Sequence, residues 1–188
     1  MQEFHAEMLL AERVDTHVLI SAERGVDTEG IARQIHSGGR RRSAPFTVFH
    51  CCGLSDEEIE SALFGRMPEF GARHTVGFLA EGNGGSLLID EIGELSCTLQ
   101  ERLLRFLEQP RSLVREASRV GDVRIFATAT ENLHARVLEG TFLEALFYRI
   151  NVIHLAVPAQ VLDALSLDTD GTTSGDLQSS VAHSPASE

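Results

Sequence analysis

Residues 87–95, LLIDEIGEL, place two adjacent carboxylates, Asp90 and Glu91, at the end of an apolar run. A buried strand that delivers such a pair can serve metal-assisted phosphoryl chemistry. Asp90 would hold Mg²⁺ directly or through water, and Glu91 would polarise an attacking water. That chemistry needs a second part, a grip on phosphate. Residues 18–36, VLISAERGVDTEGIARQIH, read as apolar strand, small-residue turn and helix, the setting in which backbone N–H groups and a Gly-Lys pair hold phosphates. Here the pair is Asp27-Thr28. All sixteen basic side chains are arginine and the chain has no lysine, so none from elsewhere stands in.

Other chemistries have less support. Asp90 and Glu91 are neighbours on a strand and point to opposite faces, so they cannot flank one glycosidic bond. No GxSxG elbow is present to expose a nucleophilic serine. Cys51, Cys52 and Cys97 show no CxxC spacing, and the eight histidines lack the i, i+4 spacing of a helical metal pair. Reduced thiols in a cytoplasm and structural or surface histidines are the expectation.

The elements that must position these residues are legible as alternating patterns. Apolar runs at His17–Ser21, Phe46–Phe49, Ser86–Ile89 and Val123–Ala127 predict strands; Glu29–His36, Asp56–Phe64, Leu99–Glu108 and Phe142–Ile150 predict helices. Strands alternating with helices imply a parallel sheet covered on both faces. Ser55 ahead of Asp56, Glu57 and Glu58 is a helix cap followed by an acidic first turn. The first residues, MQEFHAEMLLAERVD, predict an amphipathic helix rather than a signal peptide, lacking a basic start and an unbroken apolar core.

Composition bounds the partners. A length of 188 residues with 43% hydrophobic content suits one packed domain. The formal charge of −12 repels nucleic acid, so direct nucleic-acid binding is not expected. Arg40, Arg41 and Arg42, the only basic run, read as a solvated loop. No apolar run reaches the roughly 18 residues of a membrane span. The domain is expected over 1–158. Residues 159–188, rich in Ser, Thr, Asp and Gly, with five carboxylates and no arginine, are expected to form a disordered acidic tail.

Taken in order, the motifs resemble the AAA+ domain of sigma-54-dependent transcriptional activators. LLIDEIGEL, with GNGGS before it and LQERLLRFLEQ after it, resembles the family's Walker B segment. VLISAERG with IARQIH resembles its Walker A strand and helix, APFTVFHCCGL its second strand, VRIFATATENL its sensor I strand, and FLEALFYRINVIHLAVP its arginine-finger helix and exit. The resemblance runs from about Met1 to Pro158. It implies an α/β fold, a doubly wound parallel sheet of P-loop NTPase (AAA+) type, with nucleotide at the carboxyl ends of the strands. It also implies ATP and Mg²⁺ as cofactors, with Glu23, Gly25, Asp27, Thr28, Glu29 and Thr130 at the ATP site, Asp90 at the metal, and Asp90, Glu91 and Arg149 as catalytic positions. The implied partners are AAA+ relatives in an oligomer and sigma-54 RNA polymerase in a bacterial cytoplasm.

Several positions depart from the family pattern. Where the Walker A motif reads GESGTGKE, residues 22–29 read AERGVDTE. Asp27 sets a negative charge near the phosphates, a repulsion on the order of 1–4 kcal/mol at about 4 Å depending on dielectric. Thr28 supplies no cation. His50 stands at the asparagine that couples nucleotide state to the Walker B glutamate, Thr130 at the sensor I asparagine, and Leu143 at the first arginine finger. Arg149 matches the second. Between LFG and the Walker B strand the GAFTGA loop is shortened, and only EFGA at Glu69–Ala72 matches it, with Phe70 as the possible apolar tip. The helical lid subdomain with its sensor II arginine and a helix-turn-helix are not found in the sequence. The expectation is a degenerate, non-hydrolysing AAA+ domain, a pseudoenzyme that takes no cofactor and acts as a regulatory or protein-interaction module. The alternatives are a divergent ATPase that binds ATP and Mg²⁺ through Gly25 and the Asp90-Glu91 pair, and a truncated, non-functional gene product.

Overall fold

The computed structural model describes residues 2–66, 76–109, 122–130 and 132–158. The GAFTGA-like residues Glu69–Ala72, Phe70 among them, and the tail 159–188 lie outside the described residues. The elements in chain order are α1 (Gln2–Arg13), β1 (Val18–Ser21), α2 (Thr28–Gly38), β2 (Phe46–His50), α3 (Asp56–Phe64), α4 (Phe78–Glu81), β3 (Ser86–Asp90), a 3-10 turn (Ile92–Glu94), α5 (Cys97–Glu108), β4 (Arg124–Ala129), α6 (Leu133–Leu138), α7 (Glu144–Ile150) and β5 (Ile153–Ala156).

The five strands form one parallel sheet in the order β2-β3-β4-β1-β5. Its registers place Leu19 beside Ala127, His50 beside Asp90, and Leu88 beside Phe126. Successive side chains on each strand leave by opposite faces, and the core divides accordingly. Leu19, Leu87, Ile89, Ile125 and Ala127 pack with α3, α5 and α7 through Ile59, Leu63, Leu99, Leu103, Leu146 and Ile150. Val18, Ile20, Leu88, Phe126, Ile153 and Leu155 pack on the other face with α1 and α2 through Met8, Ala11, Ile31 and Ile35. Near-continuous apolar strands are what burial on both sides requires.

The expected elements are present, with local differences. The sequence marks the fifth strand, β5, only as the exit of a helix. At four residues, IHLA, its alternation is too short to separate from a turn, and its pairing with β1 fixes it as a strand. Helix α7 starts at Glu144 rather than Phe142, because Phe142 is 2% exposed and the Leu143 N–H donates to Gln100 Oε1 at 2.7 Å. At α3 the expected cap is a full capping box, with Ser55 and Glu58 bonded reciprocally. These bonds from Ser55 hold the Glu58 carboxyl below its ordinary pKa.

Arg40 and Arg42 are exposed, as expected of a solvated loop, but Arg41 between them is not. It is 9% exposed, ion-paired to Asp15 at 2.7 Å and Asp122 at 2.8 Å, and donates to the Gly85 and Asp122 carbonyls. Its planar fork reaches five acceptor oxygens at once, so burial is tolerated where a lone charge is not. Beside it the buried Arg124 donates to Ala11 O and Thr16 O, capping the end of α1, and burial lowers its pKa to about 10. Both lie at the amino end of the sheet, opposite the acidic pair.

Candidate functional site

At the carboxyl ends of the strands lies a cleft of about 480 Å³. Ala22, Glu23, Arg24, Gly25, Val26 and Thr28 line one side, and Asp90, Glu91, Glu94, Thr128 and Thr130 the other. Open α/β sheets bind ligands at this edge because loops splay there and helix N-termini converge. Among the lining residues stand four carboxylates and a single cation, Arg24.

The acidic pair is held by β4. Thr128, 2% exposed, donates from Oγ1 to Asp90 Oδ1 at 2.6 Å and accepts from the Glu91 N–H at 2.9 Å. Glu91 Oε2 accepts from the Thr130 N–H at 3.1 Å. Glu91 has φ of +54°, in the left-handed region, which turns its side chain away from the strand direction. Asp90 Oδ2 lies 2.9 Å from His50 Nδ1 on the neighbouring strand. An ionised carboxylate only accepts, so Nδ1 carries the proton of that bond. His50 therefore engages Asp90 rather than Glu91.

The loop between β1 and α2 turns at Gly25, whose φ of +92° favours glycine. Asp27 is the N-cap of α2, and its Oδ1 accepts from the Gly30 N–H at 2.7 Å. Gly30 permits this approach, since a Cβ there would lie 2.2 Å from Asp27 Oδ2. Val26 N–H donates to Glu23 O and Thr28 N–H to Val26 O. Glu29 pairs with Arg33 along the helix at 2.7 Å. Of the residues proposed from sequence for an ATP site, Glu23, Gly25, Thr28 and Thr130 line the cleft with Asp90 and Glu91, while Asp27 and Glu29 stand outside its lining.

The finger positions lie apart from this cleft. Arg149 is exposed and donates to Leu107 O, where it closes the carboxyl end of α5. Leu143 is half-buried and packs against the core. The thiols nearest the acids are held protonated. Burial, followed by the Asp90 charge, pushes Cys51 up to about 12, and burial followed by Glu91 raises Cys52. Thiolate chemistry is disfavoured there.

Two features were missed in the sequence. Thr128 lies one residue past the strand expected at Val123–Ala127, and a hydroxyl beside a buried apolar run is its only signal. The second is a cavity of about 470 Å³ sharing Ala22, Glu23 and Thr130 with the cleft, where Ser21 Oγ and His154 Nε2 lie 2.8 Å apart. No spacing rule links residues so far apart in sequence. Among the described residues no group of three or more His, Cys, Asp or Glu side chains is arranged to hold a metal, and no helix is long and apolar enough to cross a membrane.

The parallel order of the sheet, the acidic pair at the end of β3 and the loop before α2 define a P-loop NTPase fold of AAA+ type. Solved structures agree: NtrX from Brucella abortus in complex with ATP superposes with a TM-score of 0.73 at 28% identity, covering 90% of this chain and 39% of that one. The P-loop NTPase domain of the Sigma-54 transport activator from E. coli superposes with a TM-score of 0.59 over 84% of this chain and 94% of that one, and at 16% identity it supports the fold alone. Within that class the chain belongs to the Sigma-54 interaction domain family, which matches residues 1–156. The regulatory protein AtoC of Escherichia coli (strain K12) is 44% identical over 151 residues, covering 75% of this chain and 32% of AtoC. This chain thus spans about a third of the length of the curated relatives it matches.

Proposed function

We propose that this chain is a degenerate sigma-54-activator AAA+ domain that does not hydrolyse ATP and serves as a regulatory or protein-interaction module in bacterial transcription regulation. The observation that carries the reading is the cleft's lack of a phosphate grip: beyond the Asp90-Glu91 pair that a metal would engage, Glu23 and Glu94 face a single cation, Arg24, in a chain without lysine. A triphosphate brings several negative charges, and each unmatched carboxylate within about 4 Å opposes it by on the order of 1–4 kcal/mol. Thr28 contributes a hydroxyl where a cation would stabilise the β and γ oxygens. The donor set does not fit a nucleoside triphosphate, so no hydrolytic step is assigned.

Its partners, in this reading, are proteins: AAA+ relatives in an oligomer and sigma-54 RNA polymerase, with the domain in the cytoplasm and not on nucleic acid or membrane. In a mixed ring the exposed Arg149 would be offered to a neighbouring subunit, after release from Leu107 O. Calorimetric titration of MgATP into the wild-type protein tests the proposal. No heat of binding up to millimolar nucleotide is expected, and micromolar affinity overturns it.

A second reading draws on the acids themselves. Asp90 and Glu91 are fixed by Thr128 and the Thr130 amide in a formed cleft, which favours a divergent ATPase using backbone amides and Gly25. A phosphate-release assay decides it. Turnover that disappears in Glu91→Gln supports this reading, and no turnover in wild type removes it.

A further inference from the structure

The loop 23–30 turns three of its backbone amides, those of Val26, Thr28 and Gly30, onto its own oxygens. The first amides of a helix have no partner within the helix and form a ready anion site. In α2 the Thr28 N–H is turned onto Val26 O at 2.9 Å and the Gly30 N–H onto the Asp27 carboxylate at 2.7 Å. Just before the helix the Val26 N–H is closed onto Glu23 O. The Asp27 carboxylate brings a full negative charge to the positive end of the dipole, where an external anion would otherwise be drawn. Gly30 leaves the space that this contact occupies. Across the cleft the acid that would meet a phosphate-bound cation is engaged in the same manner, Asp90 Oδ2 with His50 Nδ1 at 2.9 Å.

We infer that the Asp27 carboxylate is the resident anion of this loop, an autoinhibitory contact that opposes phosphate-bearing ligands by occupying the Gly30 amide. The inference rests on the cleft being a former nucleotide site. It goes further by separating two effects of one residue, the repulsion of its charge and the occupation of the Gly30 amide. Asparagine at position 27 removes the charge but retains the capping oxygen, whereas glycine removes both.

The experiment uses the full chain in five forms: wild type, Asp27→Gly, Thr28→Lys, Thr28→Lys with Asp27→Gly, and Thr28→Lys with Asp27→Asn. MgATP and inorganic phosphate are the probes, read by calorimetry, with thermal melts confirming that each form folds. Thr28→Lys with Asp27→Gly is expected to bind MgATP at least about tenfold more tightly than either Thr28→Lys alone or Thr28→Lys with Asp27→Asn. Equal affinity for Thr28→Lys alone and Thr28→Lys with Asp27→Gly overturns the inference, because the carboxylate would then obstruct nothing. Equal affinity for the Asp27→Asn and Asp27→Gly versions also overturns it, by assigning the effect to charge alone. If the Asp27→Gly version fails to fold, Asp27→Ala with Thr28→Lys replaces it on the same criteria. Wild-type binding is a separate result: it sinks the non-hydrolysing reading, whereas the variant series tests the contact.

Discussion

Replacing Thr128 by valine removes one hydroxyl while preserving shape, and the structure sets what that hydroxyl supports. Its proton goes to Asp90 Oδ1 and its lone pair takes the Glu91 N–H, at 2.6 and 2.9 Å. Valine leaves both groups without these partners, at about 1–3 kcal/mol for each buried group left unsatisfied. The Asp90 side chain is 27% exposed, so water restores much of its bond. A net loss of about 2 kcal/mol follows, which lowers Tm by roughly 4–8 °C in a domain of this size. Thermal and urea unfolding followed by circular dichroism measure it, with Thr128→Ser as the control that keeps the hydroxyl and loses only a methyl group. A valine variant within about 0.5 kcal/mol of wild type, the ordinary range for an inconsequential change, would refute the assignment of Thr128 as the support of the acidic pair.

Further perturbations probe other parts of the molecule. Arg41→Met should cost about 2–4 kcal/mol, since it strips a buried fork from Asp15 and Asp122, and its denaturation midpoint should fall while the urea m-value is retained. Ser55→Ala breaks the capping box of α3 and should lower stability by about 1 kcal/mol, read by the same unfolding curves. His36 has its pKa lowered below 6.5, chiefly by burial. Its contribution is therefore fully present above pH 6.5 and is lost as pH falls from there through the folded value. Wild-type stability should drop across that acid window more steeply than that of His36→Gln, and parallel curves would exclude His36 as the source.

How much of this was legible in the sequence depends on the range of the interaction that fixes each feature. The strands at β1, β3 and β4 announce themselves because burial on both faces demands mostly apolar runs, and α3 because its cap and acidic turn are local. The Asp90-Glu91 pair was visible for the same reason, as a break in an apolar run. What escaped was set by partners distant in sequence. Arg41 lies in a run of three arginines that looks solvated, and only the return of Asp122 and Gly85 to its neighbourhood buries it. The double role of Thr128 requires β3 beside β4 in one register. The capping by Asp27 was half visible: the residue type suits an N-cap, yet the sequence was read for the repulsion of its charge rather than for the amide it occupies.

The left-handed backbone of Glu91 carries its own consequence. A non-glycine residue in that region costs on the order of 1–3 kcal/mol, so this position asks opposite things of main chain and side chain. Glu91→Gly would relax the turn and forfeit the carboxylate with its bond to the Thr130 amide, whereas Glu91→Gln would keep the turn and most of the bond. Melting temperature and ligand response at this one position therefore separate, and the pair of variants shows whether the turn persists for the sake of the acid it presents.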